Sequence, residues 1–209
     1  MATFGELQSK VSTRLKDPSN TSVSVSDVAA TINEAIQFWS RERFWFDEFE
    51  ESVALVQDDP DLPALSVTPK YLFETNGIVI DYASTRWPVR KISSIEYDEM
   101  NAEGRGIPFA WTFRNNGYEL YWYPDAAYTA IVRGVKAYAD LVDSSDTNDF
   151  TTNTPDLVMY EALSRLFGEF LQDPNMESYY SARTQNEFKS IKNQTRRGNA
   201  SGRIHVRGF

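Results

Sequence analysis

The chain has 209 residues, of which 41% are hydrophobic and 14% aromatic, so it can bury a core and a disordered chain is excluded. It contains no run of about 18 apolar residues, which excludes a membrane-spanning helix. The lack of cysteine excludes disulfide bonds, thiol catalysis and thiolate ligands for zinc. The first residues lack a basic segment followed by an apolar one, so we expect no signal peptide and a protein made in the cytosol.

Charge is divided unevenly along the chain. The formal net charge is −9, but the last 21 residues hold six of the 21 Lys and Arg and none of the 30 Asp and Glu. Residues 1–188 therefore carry −15 and the C-terminal end +6. A body of this sign repels polyphosphate and is a poor candidate for wrapping nucleic acid. The basic end is interpreted as a separate arm.

Four helices are predicted, two near each end of the chain. Each has an apolar stripe of helical period that needs a partner to cover it. The second is predicted to run to about residue 43, and the fourth to fade towards residue 196. Their start signals are the capping box Thr3-x-x-Glu6, Ser26 or Asp27, Thr154-Pro155-Asp156 with Thr154 as N-cap, and Asp173-Pro174.

Between residues 44 and 154 the apolar period falls to two, which is typical of strands. Strands are predicted at residues 49–56, 71–73, 78–82, 110–113, 118–123 and 129–138, with a short helix between 92 and 101. Asn116-Gly117 predicts a tight hairpin turn, because both residues accept positive φ angles. Residues 140–154 are predicted to form a polar, acidic loop.

The predicted fold class is α+β. The helix pairs of residues 1–43 and 155–197 are expected to form one four-helix bundle. Residues 44–154 are expected to form an inserted antiparallel β module, and residues 198–209 a flexible C-terminal arm with three glycines.

No pattern in the sequence indicates a catalytic, cofactor or metal site. The one histidine, His205, lies close to the last residue, a poor position for a Ser-His-Asp triad. Gly104-Arg105-Gly106 lacks the preceding strand and the third glycine of a phosphate-binding loop. Paired carboxylates such as Glu50 and Glu51, which a glycosidase would need, are interpreted as solvated strand and loop residues. Whether an acidic loop binds a metal ion stays open.

Two aromatic clusters are candidate interaction surfaces: Trp45 with Phe46, and Tyr121-Trp122-Tyr123. Such rings can stack on sugars or on single-stranded bases, or can pack where a helical bundle meets a sheet. Alternation along Tyr121-Trp122-Tyr123 leaves at least one ring exposed. An exposed ring favours a surface for subunit or partner proteins.

The basic arm is the other candidate surface. A short β-prone element after glycines can add a strand to a partner's sheet or enter a groove between partner subunits. The alternative is a disordered end that only improves solubility. The candidate arm residues are Arg196, Arg197, Arg203, Ile204, His205, Val206, Arg207 and Phe209.

Four segments, in order along most of the chain, resemble those of tailed-bacteriophage head-to-tail adaptor proteins. They are Ile-Asn-Glu-Ala-Ile-Gln-Phe-Trp-Ser-Arg-Glu-Arg-Phe-Trp-Phe-Asp-Glu at 32–48, Gly-Ile-Pro at 106–108 followed by Trp111, Leu-Tyr-Trp-Tyr-Pro-Asp at 120–125, and Pro-Asp-Leu at 155–157 with Tyr-Glu-Ala-Leu at 160–163. Each segment alone is moderately specific. The ordered set is much more specific.

The resemblance implies a structural virion protein and no enzyme activity or cofactor. Such a protein forms a ring, usually of twelve copies, under the portal and joins the DNA-filled head to the tail. The implied partners are the portal protein, neighbouring adaptor subunits and a downstream tail or nozzle protein. Viral DNA passes through the ring without specific binding, and no membrane is involved.

Docking of the arm on the portal is our inference from its composition. Other functions left open are a carboxylate-based cell-wall glycan hydrolase and a carbohydrate- or nucleic-acid-binding module.

Overall fold

The computed structural model describes residues 2–16, 21–100 and 104–199. The chain divides into a helical unit, Met1–Asp47 with Tyr138–Phe209, and a β unit, Glu48–Ala137. Over the described residues it has six helices and seven strands. The helices are α1 (Phe4–Arg14), α2 (Val25–Trp39), α3 (Ser94–Glu99), α4 (Asp149–Asn153), α5 (Pro155–Glu169) and α6 (Pro174–Asn199). The strands are β1 (Glu48–Ala54), β2 (Pro69–Leu72), β3 (Ile78–Tyr82), β4 (Thr85–Lys91), β5 (Ala110–Arg114), β6 (Gly117–Tyr121) and β7 (Thr129–Lys136).

Helix α5 lies at the centre of the helical unit, where α1, α2, α4 and α6 all contact it. Its sequence explains this position, because buried side chains occur on almost every side of the helix. Leu157, Val158, Leu163 and Leu166 are fully covered and join the buried stripes of α1 and α2 in one apolar core. A helix with so wide an apolar surface is stable only with neighbours around it.

Two of the predicted helix starts are confirmed. The Thr3 hydroxyl accepts the N–H of Glu6 and the Glu6 carboxylate accepts that of Thr3, which is the reciprocal capping box. At the start of α6, the carboxylate of Asp173 accepts the N–H groups of Asn175 and Met176 at 3.1 Å. These side chains satisfy backbone donors that have no partner within the helix.

The other two starts differ from prediction. Helix α2 begins earlier, because Ser24 and not Ser26 or Asp27 is the N-cap and accepts the Asp27 N–H at 3.1 Å. Thr154 makes no side-chain cap for α5, since it also ends α4 and donates its hydroxyl to the carbonyl of Phe150.

The segment predicted as a polar loop at residues 140–154 instead contains α4. Asn148 caps this short helix in a reciprocal pair with Thr151, whose hydroxyl accepts the Asn148 N–H at 2.9 Å. Before the helix, the amide of Asn33 both donates to the carbonyl of Leu141 at 3.0 Å and accepts its N–H at 2.9 Å. The side chain thus bonds this backbone as a neighbouring strand would.

Strand β7 is the centre of the β unit. Along one edge it pairs antiparallel with the whole of β1, from Ala54 at Thr129 to Glu48 at Val135. Along the other edge β3 pairs with residues 129–132 and β2 with residues 134–136. The core of this unit contains Ile78, Ile80 and Val132.

Strand β4 was not predicted, and it changes the topology. It forms a hairpin with β3 through Ala83 and Ser84, both at positive φ, and pairs in parallel with β5 at Arg90 and Lys91. Its residues are exposed except Val89, so the alternation that marks a half-buried strand is missing. The turn between β5 and β6 is also displaced, because Asn115 and Asn116 take the positive φ angles and Gly117 begins β6.

The α+β class was predicted, but a four-helix bundle with a small inserted antiparallel β module is wrong. The structure has six helices over the described residues and a curled, mixed sheet of seven strands. The parallel pairing of β4 with β5 requires a crossover, and the connection carries α3. Among the described residues, no helix is both long and apolar enough to cross a bilayer.

Candidate functional site

The first predicted aromatic surface divides into one exposed ring and one core ring. Trp45 is 47% exposed, whereas Phe46 is 5% exposed and packs between Phe44 and Phe150 with ring centres 5.3 Å apart in each case. The Trp45 ring meets Phe46 edge-on at 5.5 Å. Trp45 can therefore contact a partner, while Phe46 supports it from the helical core.

The second predicted surface divides in the same way. Tyr121 is buried, and its hydroxyl donates to the carbonyl of Met100 at 2.6 Å. Trp122 is 39% exposed and has a φ of +64°, which interrupts strand geometry at this residue. Tyr123 is half-buried and bonds through its backbone to Gly104 and Gly106. The positive φ means that simple alternation does not decide which ring points outward.

Gly104 has a packing role that its sequence motif did not reveal. A Cβ atom at this position would lie 2.1 Å from the Trp122 indole nitrogen, so only glycine leaves room for the ring. The absence of side chains at Gly104 and Gly106 thus makes room for the exposed ring of Trp122. This accounts for both glycines without a phosphate ligand.

The candidate arm is only partly described. Arg196 and Arg197 are exposed in the last turn of α6, where positive charge stabilises the helix dipole. The remaining candidates, Arg203, Ile204, His205, Val206, Arg207 and Phe209, lie outside the described residues. Their binding role stays a prediction.

The acidic residues bond mainly to backbone and neighbouring side chains. Asp146 accepts the N–H groups of Val142 and Asp143 at 2.8 Å each, and these bonds hold the pKa of its carboxyl below the usual value. In the β unit, Glu51 accepts both the N–H and the hydroxyl of Ser66. Within the described ranges, no group of three His, Asp or Glu side chains is placed to hold a metal ion.

Asp47 is the most buried carboxylate among the described residues, at 1% exposure. It accepts the Phe44 N–H and the Tyr138 hydroxyl at 2.8 Å each. Burial, and next the negative charge of Asp47, raise the pKa of Tyr138 far above its usual value. The group therefore ties two distant segments of the helical unit together.

Sequence reasoning missed a third aromatic feature, which lies in the β unit. A cavity of about 200 Å³ opens between β2 and the β5–β6 hairpin, and we refer to it as the aromatic cavity. In the sequence, Trp111 is noted only as the residue that follows the Gly-Ile-Pro segment at 106–108. No local signal links it to β2, because the two strands are about 40 residues apart and meet only through folding. Its lining residues are Lys70, Tyr71, Leu72, Lys91, Trp111, Phe113 and Tyr118.

Exposed aromatic rings occur on both units, and such rings are enriched at protein–protein contact surfaces. The family model described as SU10 adaptor protein matches residues 2–207, and the chain belongs to this family. The resemblance to phage head-to-tail adaptors is thereby confirmed, and the protein is a structural bacteriophage adaptor of the virion. A search of curated proteins finds no match to the chain.

Proposed function

We propose that the protein forms a ring, of twelve copies, directly beneath the portal and connects the DNA-filled head to the tail. It is made in the host cytoplasm and is added at the head–tail interface. The contact with the portal is made by the arm of residues 198–209 together with Arg196 and Arg197.

The unequal distribution of charge between the acidic body and the basic C-terminal end supports this proposal. All six charged residues after Glu187 are basic, whereas residues 1–188 have 30 acidic and 15 basic residues. An acidic partner surface attracts the basic end and repels the acidic body. A ring of acidic bodies around the DNA path repels the duplex, so DNA slides through it without adhering.

A closed ring requires heterologous contacts, in which one face of a subunit fits a different face of the next. Trp45 and Trp122 are exposed rings suited to such contacts or to a downstream tail protein. We expect the isolated protein to be monomeric and to form the ring on the portal.

The test is a truncation that ends the chain after residue 197. Because the core of the helical unit is formed by residues before this point, the truncated protein should keep its far-UV circular dichroism spectrum and melting temperature. Cosedimentation with purified portal rings should be lost. Retained cosedimentation would refute the role of the arm.

A charge-reversal pair separates loss of charge from loss of chain. Arg203→Glu with Arg207→Glu should weaken portal binding at least tenfold. The matched control is Lys10→Glu with Arg86→Glu, two exposed cations outside the arm, which should bind the portal as the unaltered protein does. Equal weakening by both pairs would show that only the net charge matters.

A further inference from the structure

Strand β1 is the terminal strand at one end of the sheet, and its outer edge has no partner strand among the described residues. Strand β7 pairs with it along the other side, over its whole length. The Leu55 N–H donates to the carbonyl of Tyr128 at 2.8 Å, which shows which residues face β7. Because the bonding direction alternates along an antiparallel strand, the N–H and C=O groups of Glu50, Ser52 and Ala54 point away from β7. All three residues are exposed.

The opposite end of the same sheet is covered. At the terminal strand β6, the carbonyl of Tyr118 accepts the N–H of Leu62 at 2.9 Å, and the Leu120 N–H donates to the carbonyl of Pro60 at 2.7 Å. The chain thus pairs one terminal strand with its own backbone and leaves the other open. Proteins often block an open edge with a proline, a bulge or a lysine. Strand β1 contains no proline or lysine, and its register with β7 is unbroken.

The charge of β1 is negative. Its sequence, Glu-Phe-Glu-Glu-Ser-Val-Ala, contains three carboxylates and no basic residue. Glu50 is paired with Arg133 of β7 at 2.6 Å, but its side chain is 60% exposed, so this pair is weak and a second cation can approach the carboxylate. Glu51 bonds to Ser66, a neutral residue that does not offset its charge. An added strand with basic side chains is therefore attracted, and a second acidic strand is repelled.

The two faces of β1 set a pattern for such a strand. Phe49 and Val53 belong to the core of the β unit on one face, and the exposed residues Glu50, Ser52 and Ala54 lie on the other. Side chains of an added strand alternate between the same two faces. Every second side chain then lies beside the core, where an apolar residue fits, and the others lie beside Glu50, where Arg or Lys fits.

We propose that the outer edge of β1 binds an extended strand of a partner protein in which apolar and basic residues alternate. The strand continues the ladder through the outward N–H and C=O groups of β1, and its apolar side chains extend the core beside Phe49 and Val53. The acidic edge repels a nucleic acid strand and the β1 edge of a second copy. A saccharide has no repeating N–H and C=O groups with which to continue the ladder. This site goes beyond the portal contact of the arm and does not depend on it.

The test is two-dimensional ¹H–¹⁵N NMR of the full chain with the acetylated, amidated hexapeptide Arg-Val-Arg-Val-Arg-Val. We expect binding with a Kd of the order of 1 mM. At ten times the Kd, the N–H groups of Glu50, Ser52 and Ala54 should exchange with solvent about tenfold more slowly, because only the free fraction exchanges. Those of Phe49 and Glu51 already bond to β7 and should not change. This period of two distinguishes strand addition from diffuse attraction of a cation.

Two matched peptides separate the contributions of backbone and charge. Arg-Pro-Arg-Pro-Arg-Pro keeps the charge but lacks every second N–H and has a φ fixed outside the strand range. Glu-Val-Glu-Val-Glu-Val keeps the valines and reverses the charge. Each should bind at least tenfold more weakly than the first peptide. Equal binding of the proline peptide would show attraction of charge alone, and equal binding of the acidic peptide would show that the carboxylates do not select the strand. Either result overturns the proposal.

Two variants locate the site. Ser52→Pro removes an outward N–H that β7 does not use, so the far-UV circular dichroism spectrum should persist while the peptide no longer binds. Glu50→Gln should weaken binding about threefold, whereas Glu99→Gln, at an exposed carboxylate of α3, should leave the Kd unchanged. A folded Ser52→Pro protein with an unaltered Kd, or equal effects of the two Glu→Gln variants, overturns the proposal.

The basic arm of a second copy is the other candidate for this edge. If the arm occupied it, the outward N–H groups of β1 would be protected in the full chain without peptide, and truncation after residue 197 would expose them. We expect equally fast exchange in both chains, and loss of protection on truncation would overturn the assignment to a partner protein. Because no portal is present, failure of strand addition and failure of the arm to bind the portal are measured separately.

Discussion

Replacing Asp47 by alanine should destabilise the helical unit by about 3 kcal/mol. The carboxylate is 1% exposed and accepts two hydrogen bonds of 2.8 Å, from the Phe44 N–H and from the Tyr138 hydroxyl. A bond to a charged acceptor contributes about 1.5–3 kcal/mol, and the Tyr138 hydroxyl keeps Asp149 as a second acceptor at 3.3 Å. We take the lower value for each bond, because the space vacated by the carboxylate can admit water.

Tyr138→Phe removes only one of these bonds and should cost about 1.5 kcal/mol. In the double variant the two losses overlap, so the coupling energy should be about 1–2 kcal/mol. The assay is urea unfolding followed by far-UV circular dichroism. Tyr82→Phe, at an exposed tyrosine, is the matched control and should have no measurable effect. A cost below about 1 kcal/mol for Asp47→Ala, or strict additivity in the double variant, would refute the reasoning.

The same tyrosine makes the stability depend on pH. Its pKa is raised in the folded state, so above the unfolded value of about 10 the unfolded chain loses a proton that the folded chain keeps. The stabilisation is complete below that pH and decreases above it, by up to about 1.36 kcal/mol per pH unit. Tyr97 and Tyr128, with pKa values raised to about 12, add to the decrease. Tyr138→Phe should make the decline shallower, and an unchanged slope would contradict the assignment.

Three further outcomes are expected. Asn33→Ala should lower the free energy of unfolding in urea by about 2 kcal/mol, because it removes two hydrogen bonds to the backbone of Leu141. Asn33→Asp keeps the acceptor and should lower it less. Gly134→Ala should lower the free energy of unfolding by about 2 kcal/mol, since its Cβ would lie 2.4 Å from a carbonyl oxygen. Gly117→Ala, with 3.8 Å of space, should change it by less than about 1 kcal/mol in the same urea unfolding assay. Trp45→Ser should change stability by less than about 1 kcal/mol but reduce association on portal rings in sedimentation, and unchanged association would remove Trp45 from the interface.

The parts of the fold that depend on neighbouring residues were predictable from the sequence. The capping box at Thr3 and the Asp173-Pro174 start work within one helical turn, so both are visible in a short window. Strand β3 was predicted with its observed bounds, because an apolar run begins directly after Asn76-Gly77, a dipeptide typical of turns. Helix α4 was missed because it is one short turn within an acidic segment, fixed by Asn148 and Thr151.

The parts that depend on distant residues were not predictable. The parallel pairing of Lys91 with Trp111 and the central position of β7 join segments whose sequences carry no mark of each other. The same limit applies to the candidate surfaces. Phe46 and Tyr121 belong to aromatic runs but are buried by packing, and the aromatic cavity exists only once β2 lies across from β5.

The chain passes between its two units twice, at residues 47–48 and at residues 137–138, and bonds within each unit hold these two points together. In the β unit, Glu48 pairs with Val135, so the start of β1 lies about 5 Å from the end of β7. In the helical unit, the Tyr138 hydroxyl bonds directly to Asp47. Each unit thus holds its two chain ends together by its own bonds, and domains with adjacent ends tolerate insertion and exchange. Residues 48–137 therefore leave and re-enter the helical unit at neighbouring points, which is the geometry that permits insertion of a domain into another.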